Sequence, residues 1–158
     1  MNDYRINQDG LEIIMEREGF KPFPYLCPAG ILTIGYGHVI LPGENFSKGI
    51  TRAQGIELLK LDCIKKENLV RSVIKVLLNI NQFSALVSLA YNIRNFENLG
   101  LIKNINDGIR ENDPEWKQAY WEQYSKARDP KTLLLKVLKG LLVRRQKEYK
   151  LFIKPVTE

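Results

Sequence analysis

The sequence predicts an α+β fold, mainly helical, with one small β lobe set between helical stretches. Apolar residues recur at helical period before residue 19 and again over most of the chain beyond residue 51. Between these stretches Pro22, Pro24 and Pro28 forbid helix, and glycines interrupt short runs of β-forming residues. At 158 residues the chain is long enough for one domain with a substantial core, and it shows no internal repeat or low-complexity tract.

The first helix is expected over about residues 7–18. Asn7 or Asp9 can cap it, because a short side-chain oxygen satisfies the free N–H groups of the first turn. Leu11, Ile14 and Met15 then form an apolar stripe, and the next position on that stripe is Glu18. Gly19 can end the helix in a left-handed conformation. The pattern therefore puts Glu18 on the buried face at the helix C-terminus, where desolvation and the macrodipole would both keep a carboxyl protonated, as a general acid requires. A structural ion pair is the alternative reading of Glu18. Glu12 and Glu16 lie on the opposite, solvated face.

The β lobe is expected over about residues 22–48. Ile31, Leu32, Thr33, Ile34 and Tyr36, separated by Gly30, Gly35 and Gly37, read as a small hairpin. Thr33 on spacing alone is an ordinary strand threonine. His38, the only histidine, reads as a structural residue ahead of a catalytic base.

The rest is helical, over about 51–152. Thr51 should cap a long helix over Arg52–Val70, the spine between two lobes. Others are expected over Asn81–Arg94, Leu99–Arg110, Pro114–Lys126 and Thr132–Phe152, with Asp113-Pro114 and Asp129-Pro130 marking helix starts.

The motifs between Glu18 and His38 run E-G-F-K-P-F-P-Y-L-C-P-A-G-I-L-T-I-G-Y-G-H. Glu18, Cys27 and Thr33 follow the spacing E-x8-C-x5-T, directly continued by I-G-Y-G-H. This resembles the signature of the phage-type lysozymes, the T4-like endolysins, which carry a catalytic Glu, an Asp or Cys nine residues on, and a Thr six further. Ile50–Asp62 (I-T-R-A-Q-G-I-E-L-L-K-L-D), Asn81–Asn92 (N-Q-F-S-A-L-V-S-L-A-Y-N) and Gly140–Phe152 (G-L-L-V-R-R-Q-K-E-Y-K-L-F) are similar to three further family segments in the same order. The resemblance spans almost the whole chain. It departs at Arg94, where the family usually has Gly, and over Trp116–Lys139, where a Lys- and Leu-rich stretch replaces a compact connection.

That resemblance implies a lysozyme-like domain covering residues 1–158, with the active cleft between the β lobe and the helical lobe, the latter including helix 7–18. It implies a muramidase hydrolysing the β-1,4 bond between N-acetylmuramic acid and N-acetylglucosamine in peptidoglycan, without cofactor. Glu18 would be the acid, Cys27 a base or a nucleophile, and Thr33 the residue holding water. Val39, Tyr91 and Asn92 would line the saccharide cleft. His38 and Arg145 would support it, Arg145 as partner to Glu18. A free thiol titrates at about 8.5, so Cys27 would need local tuning. A lytic transglycosylase acting on the same polymer is the enzyme alternative; a non-catalytic wall-binding module or a basic nucleic-acid binder is the other.

Composition narrows the partners. A net charge of +6 and a pI of about 9.3 favour an anionic polymer or surface. The mixed Lys and Glu of residues 60–71 read as a solvated helix face, so nucleic acid is not expected. No apolar run reaches membrane-spanning length, and the first residues lack a secretory h-region. One His and two scattered Cys make a metal site or disulfide framework unexpected. By resemblance, a monomer without stable membrane insertion would accumulate in the host cytoplasm and reach the wall once a holin opens the membrane.

Overall fold

A computed structural model of the chain describes residues 3–108 and 120–157. Helix α1 spans Gln8–Glu18, with Asn7 as its cap: the Asn7 side chain accepts the Gly10 N–H at 3.0 Å. Gly19, at φ +69°, closes the helix by donating to Met15 O at 2.9 Å. The buried face of α1 is Gly10, Leu11, Ile13 and Ile14, packed against the central helix over residues 80–92 and the C-terminal helix.

Three antiparallel strands follow: β1 (Lys21–Leu26), β2 (Leu32–Gly35) and β3 (His38–Val39), in that spatial order. The β1–β2 turn is closed by Gly30 N–H to Cys27 O at 2.8 Å, with Pro28 supplying a preset φ at the turn. A bulge interrupts β1 between Lys21 and Tyr25. Directly paired residues project to the same face of a sheet. Tyr25 opposite Thr33, and Thr33 opposite Val39, therefore make one row across all three strands.

Helix α2 (Arg52–Val73) starts at a capping box in which Thr51 Oγ1 accepts from Gln54 N–H at 3.1 Å and Gln54 Oε1 from Thr51 N–H at 2.8 Å. Helix α3 (Ile80–Asn92) begins in the same way on Asn79 and Gln82. Every α3 residue from Asn81 to Ala90 is buried, so α3 is the axis of the core, contacted by α1, α2 and the C-terminal helix. Each wholly buried leucine there, such as Leu86 and Leu89, stabilises the fold by about 1.5–3 kcal/mol. A short helix α4 (Gly100–Asn106) ends four residues before the expected Arg110.

The expected helix over Thr132–Phe152 is shorter and begins later, as α5 (Lys139–Phe152). In its place residues 126–137 form a hairpin of β4 (Lys126–Arg128) and β5 (Leu135–Val137). Asp129 marks a turn and not a helix start: its carboxylate accepts the N–H groups of Lys131 and Thr132 at 2.7 and 3.0 Å, and Asp129 N–H donates to Leu134 O at 2.9 Å. Leu133 completes the turn at φ +59°, a left-handed conformation that costs a side-chain-bearing residue about 1–2 kcal/mol. Of the expected helix over Pro114–Lys126, residues 114–119 lie outside the described residues, as does Asp113-Pro114. Its described end is a 3-10 turn (Glu122–Ser125) running into β4.

Two buried carboxylates lock the helices. Glu67 on α2 accepts Ile6 N–H at 2.7 Å and Arg5 Nε at 2.9 Å, tying the N-terminal segment down. Glu148 on α5 accepts from Arg144, Arg145 and the Ser88 hydroxyl, joining α5 to α3. Among the described residues no helix is long and apolar enough to cross a membrane, and no three metal-binding side chains are grouped to hold an ion.

Candidate active site

Glu18 is the last residue of α1, where the helix runs out beneath the β2–β3 turn. It is exposed, contrary to the buried position that the stripe implies. The covered face of α1 is set by Leu11, Ile13 and Ile14, and by the last turn the helix has left that cover. What meets Glu18 instead is the backbone of Gly37. A β-carbon at Gly37 would stand 2.9 Å from Glu18 Oε2, and Gly37 itself has φ +83°. Only glycine combines that conformation with that approach.

The Cys27 thiol sits just past the end of β1, half-buried, and is free. Its pKa is drawn below the usual thiol value by the Ile31 N–H first; desolvation opposes this, and the Ala29 N–H and the Thr33 hydroxyl add smaller lowering effects. Hydrogen bonds to sulfur favour the thiolate, the form able to act as base or nucleophile. The Thr33 hydroxyl has one proton, donated to Ile31 O at 2.9 Å or turned towards that sulfur. Cys63 is the opposite case: buried on α2, with its thiol pushed up to about 12 by burial and by Glu67 and Asp62.

Tyr25 connects the two ends of the site. Burial, then the negative charges of Glu18 and Cys27, hold its phenol above the ordinary tyrosine value. It pairs with Thr33 across the sheet, and alternation along β1 sends it to the side of Cys27. On the helical side Tyr91, near the end of α3, is raised by burial and then by Asp62 and Glu18. The charge of Glu18 is thus felt by a β-lobe tyrosine and by a helical-lobe tyrosine. Val39 is 46% exposed at the edge of the row Tyr25–Thr33–Val39. The groove expected between the lobes would thus carry a carboxyl on one wall and a thiol with threonine on the other.

The supporting residues divide. His38 is buried between two carboxylates, its Nδ1 2.8 Å from Asp62 and its Nε2 2.9 Å from Glu44. Burial alone would lower its pKa, but the hydrogen bonds to Asp62 and Glu44 win and the net direction is up. With both ring nitrogens donating, an imidazolium fastens β3 to α2. Arg145 does not pair with Glu18. Its Nε donates to Tyr124 O at 3.1 Å, and its two terminal nitrogens are held by Glu148 and Asn92. The buried Glu148 carboxylate lies on the same helix, three residues on, and takes the guanidinium before it can reach the groove. Arg145 thereby fixes Asn92, itself exposed, at the end of α3. Among the described residues the Glu18 side chain has no hydrogen bond or ion pair.

Sequence reasoning missed Tyr25, Gly37 and the Asp62–His38–Glu44 bridge. A signal for Tyr25 was present, since Tyr25 and Cys27 are two apart on a strand and share a face.

Comparison with known proteins bears on the family and the fold. The sequence profile of the family described as phage lysozyme matches residues 15–148. An endolysin of Acyrthosiphon pisum secondary endosymbiont phage 1 is 35% identical over 154 residues, covering 93% of this chain and 97% of its own. An endolysin of Lactococcus phage c2 is 33% identical over 97% of this chain, which spans 62% of that longer relative. Among solved structures, the muramidase domain of SpmX from Asticaccaulis excentricus superposes with a TM-score of 0.82 at 29% identity, over 96% of this chain and 99% of its own.

Proposed function

Because the chain belongs to the phage lysozyme family, and so is a lysozyme-type glycosidase of the endolysin kind, we propose that it hydrolyses the β-1,4 bonds between N-acetylmuramic acid and N-acetylglucosamine in bacterial peptidoglycan. In this reading Glu18 protonates the leaving glycosidic oxygen. Cys27, as thiolate, either activates water or attacks the sugar carbon. Thr33 orients the water, and Val39, Tyr91 and Asn92 bind the saccharide, with Arg145 bracing Asn92 and His38 bracing the β lobe.

The observation that carries the reading is the family match over residues 15–148 together with the packing of Glu18 against Gly37, in the turn that follows Thr33. In this reading two unlike groups, the Glu18 carboxyl and the Cys27 thiol, flank one groove, as a two-group glycosidase requires. The net charge of +6 suits an anionic wall. By the same reading the enzyme works as a monomer without stable membrane insertion or a nucleic-acid partner. It waits in the host cytoplasm until a holin gives access to the wall.

Mass spectrometry of muropeptides released from purified sacculi tests the reaction. Hydrolysis leaves N-acetylmuramic acid with a free reducing end. Anhydro-muramic ends would instead assign a lytic transglycosylase, and no release at all would leave only wall binding.

A further inference from the structure

The β4–β5 hairpin takes no part in the groove and stands off the body of the protein. All three β5 residues and two of the three β4 residues are exposed, so neither face of the hairpin is covered. Its register is informative. Lys126 pairs with Val137 and Arg128 with Leu135, so one face carries a basic strand directly beside an apolar one. The tip adds Leu133 and Leu134, 64% and 67% exposed, and Leu133 is held there in a left-handed conformation. A leucine is a poor choice for that backbone and for that exposure, and a strained, solvent-facing apolar residue signals a contact missing from the free protein. The turn is firmly built: Asp129 accepts Lys131 and Thr132 N–H groups, and Arg128 donates to Leu133 O at 2.7 Å.

Charge decides what the contact is. Residues 126–139 hold five Lys and Arg against one acid, Asp129. A second copy of the chain would bring those cations against each other. A soluble anionic polymer would offer the leucines no hydrocarbon. A bilayer surface rich in anionic phospholipid offers both, with acyl chains for Leu133, Leu134, Leu135 and Val137 and headgroup phosphates for the flanking lysines. Lys126 and Arg128 can lay their aliphatic stems beside the apolar strand while their charges stay in the headgroup layer. We propose that the 126–137 hairpin is a peripheral docking element for anionic membrane surfaces, entering the interface by its leucine tip without spanning the bilayer.

Flotation of the full chain with vesicles of equal parts phosphatidylglycerol and phosphatidylcholine tests this. Because these vesicles contain no peptidoglycan, the result is independent of the catalytic reading. The wild type is expected to float with anionic vesicles and not with pure phosphatidylcholine. The Leu133→Ser/Leu135→Ser variant should partition at least about tenfold more weakly, with wall clearing and circular dichroism unchanged. Lys126→Gln and Lys131→Gln should each weaken partition about fivefold at low salt. In Leu134→Trp, emission should shift to the blue on adding anionic vesicles. Equal flotation of the serine variant, or failure of the wild type to float, overturns the proposal. Retention on purified sacculi that the serine variant loses, without any vesicle binding, assigns the hairpin to wall polymer instead.

Discussion

Gly37 and Glu18 are in contact across the junction of the β lobe and α1, with room for no β-carbon between them. The Gly-Tyr-Gly-His turn is thus part of the wall that holds the acid. Gly37→Ala carries a backbone penalty of about 1–2 kcal/mol and also drives a methyl group into the carboxylate. Gly43, at φ +89° with nothing within 4 Å of a β-carbon, is the control that carries the backbone penalty alone. Both variants should melt a few degrees lower, at about 2–4 °C per kcal/mol for a chain of this size. Only Gly37→Ala should lose more than about tenfold in kcat, equivalent to 1.4 kcal/mol of barrier. Equal rate losses in the two would mean that the turn does not position Glu18.

Glu18→Gln should abolish clearing of peptidoglycan, with a rate loss of about 100- to 10,000-fold, and leave the melting temperature close to wild type. The side chain is exposed and unpaired among the described residues, so an amide disturbs no network. Near wild-type lysis by this variant would remove Glu18 from the acid role.

Cys27→Asp should keep substantial activity, since a carboxylate can do base or nucleophile work, whereas Cys27→Ala should be badly impaired. Iodoacetamide should label Cys27 at a pH below the ordinary thiol range and inactivate the enzyme. Cys63, buried and pushed up to about 12, should stay unlabelled while the protein is folded. Mass spectrometry of the labelled chain against residual activity checks both. Full activity in the alanine variant would reduce Cys27 to a structural residue.

Thr33 sets the stereochemistry if it holds the attacking water. The product should then be inverted at the anomeric carbon, and Thr33→Glu should accumulate a covalent glycosyl adduct. Early-turnover NMR of the anomeric proton reads the outcome. A retained β product would give the first attack to Cys27.

The His38 bridge gives stability a definite sign with pH. Its folded pKa is raised above 6.5, so its contribution is complete below 6.5 and is lost as pH rises through the folded value. Asp62, raised chiefly by burial, acts in the same sense at lower pH. Glu44, lowered by Leu41 N–H and then by His38, contributes above the ordinary carboxyl range and loses that as pH falls. Wild-type melting temperature should therefore fall from neutral to mildly alkaline pH. His38→Gln should melt lower at pH 6 and show little of that slope. Parallel curves would deny His38 a charged role.

Much of this was legible in the sequence because it is local. The caps at Asn7 and Thr51, the end of α1 at Gly19 and the spacing from Glu18 through Cys27 to Thr33 all depend on neighbours a few residues apart. Two expectations failed where distant packing decides. Exposure of Glu18 depends on which tertiary neighbours cover the last turn of α1, which periodicity along α1 does not encode. The partner of Arg145 is chosen by Glu148 and by Asn92, the latter 53 positions away. The third failure, hairpin in place of helix over residues 126–137, turned on an Asp129 turn and a left-handed Leu133 that residue propensity disfavours.

The β lobe leaves the helical body at Gly19 and returns to it at Ile50, and the two crossings are stitched together where Ile50 N–H donates to Pro22 O at 2.9 Å. Topologically it is a detour: the core of α1, α2, α3 and α5 is continuous without it. Closing a detour of about 30 residues costs only roughly 3 kcal/mol of chain entropy, and doubling its length adds about 0.6 kcal/mol. The lobe can therefore be exchanged as a cassette between residues 20 and 50, provided that the donor keeps a histidine for Asp62 and a glycine for Glu18. A third seam is apolar, where Tyr36 joins the core and packs against Phe20 over Gly55 of α2, so the reach of the groove can be redesigned separately from the helices only if all three seams are kept.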